Sequence, residues 1–380
     1  MDSALTAALT NAVNIAIEQG GERGLQVAIY VAGELAAEAC GGIADVTTGA
    51  RVTPTTLFPI FSVCKALTAT ALHLQAERGR VDYDAPISRY WPEFAANGKD
   101  RATVMHALQH RLGLYAMPED MTPERFCDYE WMTSELARLA PRFEPGTKNG
   151  YMSYTFGWII AEIVRRTDPQ RRDFRNYLRD EILLPLGIED FWIGLPPAYH
   201  SRVARLIDAP MRPNANAVAP ALGMPAQVGA REEIYGRKDV REACIPGANG
   251  IANARSVVRF FALLAGGGAL GGVRLLSQTR VAGFSTLRVD GDQADTVLGY
   301  AARVGAGYWT GGNTNPENYC RILGEDRRLL GHPGTGGSIA WADPTHDVAV
   351  SICHNRMFNA PSEAYDSIKV VVDQVVAGRA

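Results

Sequence analysis

A hydroxyl stands three residues ahead of a lysine in Ser62-Val63-Cys64-Lys65, and that spacing suits a nucleophile that carries its own base. The chain has only five lysines, so this one is conspicuous. Residues i and i+3 share a helix face, and a helix starting at Ser62 would let the Lys65 nitrogen reach the serine oxygen. Arginine could not take the role, because only lysine can lose its proton near neutral pH when buried or crowded by positive charge. The same spacing also fits a surface helix opened by a serine N-cap. The residues after Lys65 argue for burial: Ala66, Leu67, Ala69, Ala71, Leu72 and Leu74 leave little polar surface before Arg78-Gly79 ends the predicted helix.

Two more segments place polar groups on turns. In Glu144-Pro145-Gly146-Thr147-Lys148-Asn149-Gly150-Tyr151-Met152-Ser153, a Pro-Gly turn delivers Tyr151 and Ser153 just before a helical pattern from Tyr154 to Arg166. On its own, a tyrosine there reads equally well as packing. In Gly331-His332-Pro333-Gly334-Thr335-Gly336-Gly337-Ser338, small residues after a strand let the backbone approach a ligand, although alone they read as a glycine-rich hairpin turn. Other candidates take structural readings. His106 and His110 would share a helical face but lack the glutamate of a metalloprotease motif and a third ligand, so no metal is expected. Gly336-Gly337-Ser338-Ile339-Ala340 misses the nucleophile-elbow pattern by one residue, and too little chain remains after it for an acid and a histidine. Arg165-Arg166 and Arg171-Arg172 read as a solvated helix end.

These groups must be held by the elements around them. A first helix, patterned by Leu5, Leu9, Val13, Ile15 and Ile17, closes at Gly20-Gly21, and strands Leu25 to Val31 and Glu34 to Ala39 flank a turn at Ala32-Gly33. Helical patterns come next at Thr103 to His110, Met132 to Leu139, Tyr154 to Arg166 and Phe174 to Leu184. Prolines and glycines then accumulate from Pro210 through Pro213, Pro220 and Pro225 to Pro246-Gly247, which reads as a functional loop or lid. A helix from Ala254 to Ala265 precedes strand-like runs at Leu298 to Val304, Arg328 to Leu330, Ser338 to Ala342 and Val348 to Cys353, and a last helix runs from Ser362 to Val376. The expectation is an α+β fold: residues 1–80 and 255–380 form one antiparallel sheet flanked by the terminal helices, and 81–254 form a mainly helical inserted domain with a Pro/Gly-rich active-site loop at about 208–250.

Composition narrows the partners. The chain has 380 residues, 47% of them hydrophobic and 21% charged, with a net charge of -3. It has room for two domains or one large one, and no basic field for nucleic acid or an anionic membrane. No apolar run approaches the roughly 20 residues of a membrane span. Six cysteines (Cys40, Cys64, Cys127, Cys244, Cys320, Cys353) lack metal spacing and fit reduced thiols; with an N-terminus lacking a basic secretory region, a cytoplasmic location is expected.

Taken in order, S-x-x-K at Ser62, the tyrosine segment at Tyr151 and H-P-G at His332 resemble the serine β-lactamase and penicillin-binding-protein superfamily, and most closely the class C β-lactamase-like hydrolases called family VIII carboxylesterases. Supporting stretches are Leu57 to Phe61, Pro145-Gly146-Thr147, Leu184-Pro185-Leu186-Gly187, Pro246 to Arg255 and Gly336 to Pro344. The resemblance implies a β-lactamase/transpeptidase-like fold and catalysis through an acyl-Ser62 intermediate. Lys65 and Tyr151 would shuttle the proton, and the backbone N–H groups of Ser62 and Thr335 would hold the oxyanion. In water neither a lysine nor a tyrosine, with pKa values of about 10, is basic enough; the positive end of the Ser62 helix would disfavour the ammonium, and the two groups in contact would titrate as a pair. Ser153, His332, Gly334, Tyr308 and Trp309 would contact substrate, with the loop Met211 to Pro225 walling the pocket. Ser153 replaces an asparagine that would hold Lys65 and substrate by its amide. His332 replaces the lysine of K-T-G and removes a permanent cation, which favours a neutral ester or amide over penicillins and cephalosporins. No cofactor is implied. An acyltransferase, a β-lactamase or D-amino-acid peptidase, and a non-catalytic binding protein of the same fold stand as alternatives, and a homo-oligomer is open.

Overall fold

The structure, a computed structural model, describes residues 1–208, 220–286, 293–312, 322–358 and 363–379. Its first helix, α1 (Ser3–Glu18), is capped by the Asp2 carboxylate, which accepts from the Ala4 and Leu5 N–H groups, and buries Leu9, Ala12, Val13 and Ala16. Strands β1 (Gly24–Val31) and β2 (Glu34–Asp45) form the expected hairpin, with Ala32 and Gly33 at φ +50° and +76°. Two short strands come next, β3 (Ala50–Arg51) and β4 (Phe58–Phe61), and then α2 (Cys64–Glu77). Every α2 residue from Cys64 to Ala76 is buried, so the helix carrying Lys65 is interior on all sides.

Residues 81–254 contribute mostly helices: α3 (Val104–Leu108), α4 (Pro123–Cys127), α5 (Tyr129–Arg138), α6 (Thr155–Thr167), α7 (Phe174–Leu178), α8 (Pro220–Gly223), α9 (Glu232–Tyr235) and α10 (Lys238–Glu242). The same segment supplies β5 (Phe191–Ile193) and β6 (Gly250–Ala252), which join β4 in a three-stranded antiparallel sheet ordered β4-β6-β5. After α11 (Ala254–Ala265), a small β7 (Ala269–Leu270) and β8 (Val273–Arg274) pair and α12 (Gln278–Gly283), the chain returns as β9 (Leu330–Pro333), β10 (Ile339–Asp343) and β11 (Val348–His354), and ends in α13 (Asp366–Ala377).

Both chain ends build the main sheet, an antiparallel six-stranded array ordered β3-β2-β1-β11-β10-β9. Its two faces can be assigned from β1. Gly41, opposite Leu25, lies against Val13 and Ile17 of α1, whereas Gln26 accepts from the Ala254 N–H at the head of α11 and Ser351, opposite Ala28, donates to the Ala254 carbonyl. Alternate side chains therefore meet helices on opposite faces, which is why β1 is buried almost throughout. The terminal helices pack together, and Ser367 of α13 donates to the Ala12 carbonyl of α1.

Several expectations change. Leu298 to Val304 forms no strand; Ala301 and Val304 make only isolated bridges, and Trp309 extends the sheet edge by pairing with Gly331. Helix α7 stops at Leu178, and Arg179–Leu183 continues as a π-turn. Arg165 and Arg166 are not simply solvated, since both bind the buried carboxylate of Glu162. Arg172 likewise clasps Asp168 and Glu181. Residues 209–219 of the Pro-rich loop, Cys320 and the expected start of the last helix at Ser362 lie outside the described residues.

Candidate active site

The three chemical segments meet at the head of α2. Phe61, the last residue of β4, sits at φ +48°, a left-handed conformation rarely held by a bulky side chain, and this turns the chain sharply so that Ser62 and Val63 lead into the helix. Ser62 is thus not the helix cap; Val63 occupies that position without a side-chain hydrogen bond. The Lys65 nitrogen lies 2.8 Å from Ser62 Oγ, 2.7 Å from the Ser153 carbonyl and 2.5 Å from the Gly247 carbonyl. Burial pulls the Lys65 ammonium down to about 7, with Cys64 as a smaller opposing influence. A neutral amine has two N–H groups and one lone pair. The two carbonyls accept the N–H groups, and the lone pair is then left for the Ser62 hydroxyl, as a base requires.

Gly247 comes from the turn before β6, and its delivery depends on a second glycine. A Cβ on Gly157 of α6 would lie 2.0 Å from the Gly247 nitrogen, so the turn and the helix touch backbone to backbone. Asn249 fixes the same turn by donating to the Val240 and Ala243 carbonyls and accepting from the Ile245 N–H. Thr68 of α2 donates to the Pro246 carbonyl. Neither glycine carried a chemical signal in the sequence, because what they supply is a carbonyl and the absence of a side chain.

Tyr151 reaches the site from the other side, its ring centroid 5.3 Å from the Lys65 nitrogen. It is packed between His110 (4.6 Å), Trp309 (5.9 Å) and His332 (6.5 Å). His110 is not on the α3 face predicted for it; it lies past the helix end at φ +57°, accepts from the Met152 N–H and stacks on Phe156. His106, its expected partner, instead completes a capping box with Thr103. Ser153 contributes to the lysine through its backbone carbonyl, so the missing asparagine amide is not needed to hold Lys65.

Strand β9 brings His332 to Gly334 alongside. A Cβ on Gly334 would lie 2.4 Å from the Ile60 carbonyl, so the absence of a side chain lets the turn approach β4. Thr335 follows in the same turn, and Ile60, which that turn approaches, stands two residues before Ser62. Among the described residues neither the Ser62 nor the Thr335 N–H donates to a backbone acceptor. His332 is buried and held neutral by that burial and by Lys65. Its Nδ1 lies 2.8 Å from the Pro333 carbonyl and must donate, which leaves Nε2 as a buried acceptor with no partner among the described residues. Trp309 flanks Tyr151 and His332. Tyr308, expected to wall the pocket, points elsewhere: its hydroxyl bonds Thr70 at 2.7 Å and its ring stacks on Phe284, deep in the core. Cys64 is fully buried behind the nucleophile, its sulfur 3.5 Å from the Pro246 carbonyl.

Comparison with known proteins places the fold in a family. The beta-lactamase family profile matches residues 9–373. The esterase/beta-lactamase LipL of Mycobacterium tuberculosis is 32% identical over 346 residues, which cover 88% of this chain and 77% of that protein. A family VIII carboxylesterase crystal structure superposes with a TM-score of 0.88 at 28% identity, covering 99% of this chain and 98% of that one. A penicillin-binding-protein homologue from Caulobacter crescentus gives 0.85 at 32% identity, covering 100% and 99%. With a matching profile over nearly its whole length, this chain belongs to the beta-lactamase family.

Proposed function

We propose that this protein is a carboxylesterase-type serine hydrolase that cleaves small neutral esters through an acyl-Ser62 intermediate. The observation that carries the reading is the placement of a buried lysine with a pKa of about 7 at 2.8 Å from the serine oxygen, its two N–H groups taken by carbonyls. Ser62 Oγ attacks the ester carbonyl as its proton passes to Lys65 Nζ, and the carbonyl oxygen becomes an oxyanion between the Ser62 and Thr335 N–H groups. The C–O bond to the alcohol then breaks, and the proton returns through Lys65 and Tyr151 to the leaving oxygen. Water repeats the sequence on the acyl-enzyme and releases the acid.

His332 supports the choice of neutral substrates. A substrate carboxylate would meet a neutral ring with a buried lone pair where a K-T-G site offers an ammonium, and desolvating a carboxylate without a cation is unfavourable. The two similar proteins described as an esterase/beta-lactamase and a family VIII carboxylesterase agree with ester chemistry. Turnover of p-nitrophenyl butyrate and of nitrocefin by the same preparation tests the proposal: the ester should be the better substrate by kcat/KM, and Ser62→Ala should remove both activities. Preferential nitrocefin hydrolysis would reverse the substrate assignment.

A further inference from the structure

Asp295 lies 144 positions after Tyr151 in the chain, yet its buried carboxylate accepts the Tyr151 N–H at 3.0 Å. The same Oδ1 accepts from the Val297 N–H at 2.9 Å and the Leu298 N–H at 3.2 Å. A closed loop surrounds it: the Asp295 N–H donates to the Tyr300 carbonyl and the Gly299 N–H to the Asp295 carbonyl. A second bond ties this loop to the tyrosine segment, from the Thr296 N–H to the Asn149 carbonyl at 2.9 Å. The loop thus grips both flanks of Gly150-Tyr151 through one carboxylate and one backbone bond. On the other side, the Met152 N–H donates to His110 and Ser153 offers its carbonyl to Lys65.

We infer that Asp295 is a positioning residue for Tyr151: it fixes the backbone from which the phenol is presented to Lys65 and Ser62. The inference rests on the proton-shuttle role proposed for Tyr151 and adds a residue that touches no reacting atom. Its physical basis is that a carboxylate collecting three N–H donors in a buried place makes stronger hydrogen bonds than a neutral acceptor, and all three hold one local geometry. A misplacement of about 1 Å in a catalytic group can cost about 100-fold in rate. Asparagine keeps an oxygen at the same place and can still accept all three bonds, whereas alanine removes them.

The test is a double-mutant cycle on p-nitrophenyl butyrate hydrolysis with Asp295→Ala, Asp295→Asn, Tyr151→Phe and the Asp295→Ala/Tyr151→Phe double variant, each with its thermal melt. Asp295→Ala should lower kcat about 100-fold with KM within severalfold of the parent, and Asp295→Asn should recover most of that loss. In the Tyr151→Phe background, Asp295→Ala should have little further effect, since the group it positions has already lost its hydroxyl. An equal loss from Asp295→Ala in both backgrounds, or a kcat unchanged in Asp295→Ala, overturns the positioning role while leaving the Tyr151 assignment intact. Parental kcat in Tyr151→Phe alone overturns the Tyr151 assignment itself. Should Asp295→Ala fail to fold, Asp295→Asn decides alone: because it still accepts all three bonds, a loss as large as that of Tyr151→Phe would contradict the role.

Discussion

At the scale of the residue, the burial of Lys65 costs stability. Its pKa falls from 10.5 in the unfolded chain to about 7 in the fold. Below pH 7 the amine is protonated in both states and the burial penalty, on the order of a few kcal/mol, acts in full. Between about 7 and 10.5 the folded protein has released a proton that the unfolded chain keeps, so this residue's contribution to stability becomes more favourable as pH rises. A Lys65→Met variant, which has nothing to titrate, should therefore gain in melting temperature relative to the parent as pH falls from 9 to 6. A difference in melting temperature that does not change with pH would contradict the lowered pKa. The parent's kcat for ester hydrolysis should rise with pH through about 7, as the base deprotonates, and show no second limb from His332, which burial keeps neutral.

Elements bring these residues together by backbone approach, and here the sequence was least legible. The S-x-x-K pair was readable because two polar side chains at helical spacing announce themselves, and most strands at the two chain ends were readable as strand-like runs. Gly157 and Gly247 gave no comparable sign, since their function is to be absent as side chains. Asp295 was hidden for a different reason: it acts across 144 positions from a segment read as leading into a strand. Tyr308 was misplaced because an aromatic beside glycines looks the same whether it faces a pocket or the core. The contact between α6 and the Pro246-Gly247 turn yields a prediction at the scale of the element. Gly157→Ala would thrust a methyl to 2.0 Å from backbone nitrogen and 2.5 Å from the Pro246 carbonyl carbon, atoms that cannot swing aside. Destabilisation of about 1–3 kcal/mol is expected, together with a loss of kcat as the Gly247 carbonyl shifts from Lys65. Gly283→Ala in α12, where nothing lies within 4 Å of the new carbon, serves as the control and should leave both melting temperature and kcat near the parental values.

Across the whole molecule, the site depends on a sheet whose strands come from the two chain ends, so the joints between those ends bear on catalysis at a distance. One joint is a hydrogen-bonded pair in the interior. Glu22, between α1 and β1, and His354, the last residue of β11, meet at 3.0 Å with side chains only 0% and 2% exposed. His354 also donates its backbone N–H to Ser338 Oγ, packs against the Gly337 backbone and stacks on Phe358, whose own N–H holds the Gly336 carbonyl. Glu22 thereby anchors the strand that braces the Thr335–Ser338 turn from behind. Removing one partner of a buried hydrogen-bonded pair leaves the other unsatisfied, which costs about 1–3 kcal/mol, more than a surface pair contributes. Glu22→Ala should therefore lower the urea midpoint by an amount equivalent to about 1–3 kcal/mol. Arg138→Ala, which breaks an exposed pair with Glu135, should shift it by less than about 1 kcal/mol. Similar midpoints for the two variants would show that the chain ends are joined by the hydrophobic packing of α1, α13 and the sheet alone, with the Glu22–His354 pair contributing little to holding the Thr335–Ser338 turn in place.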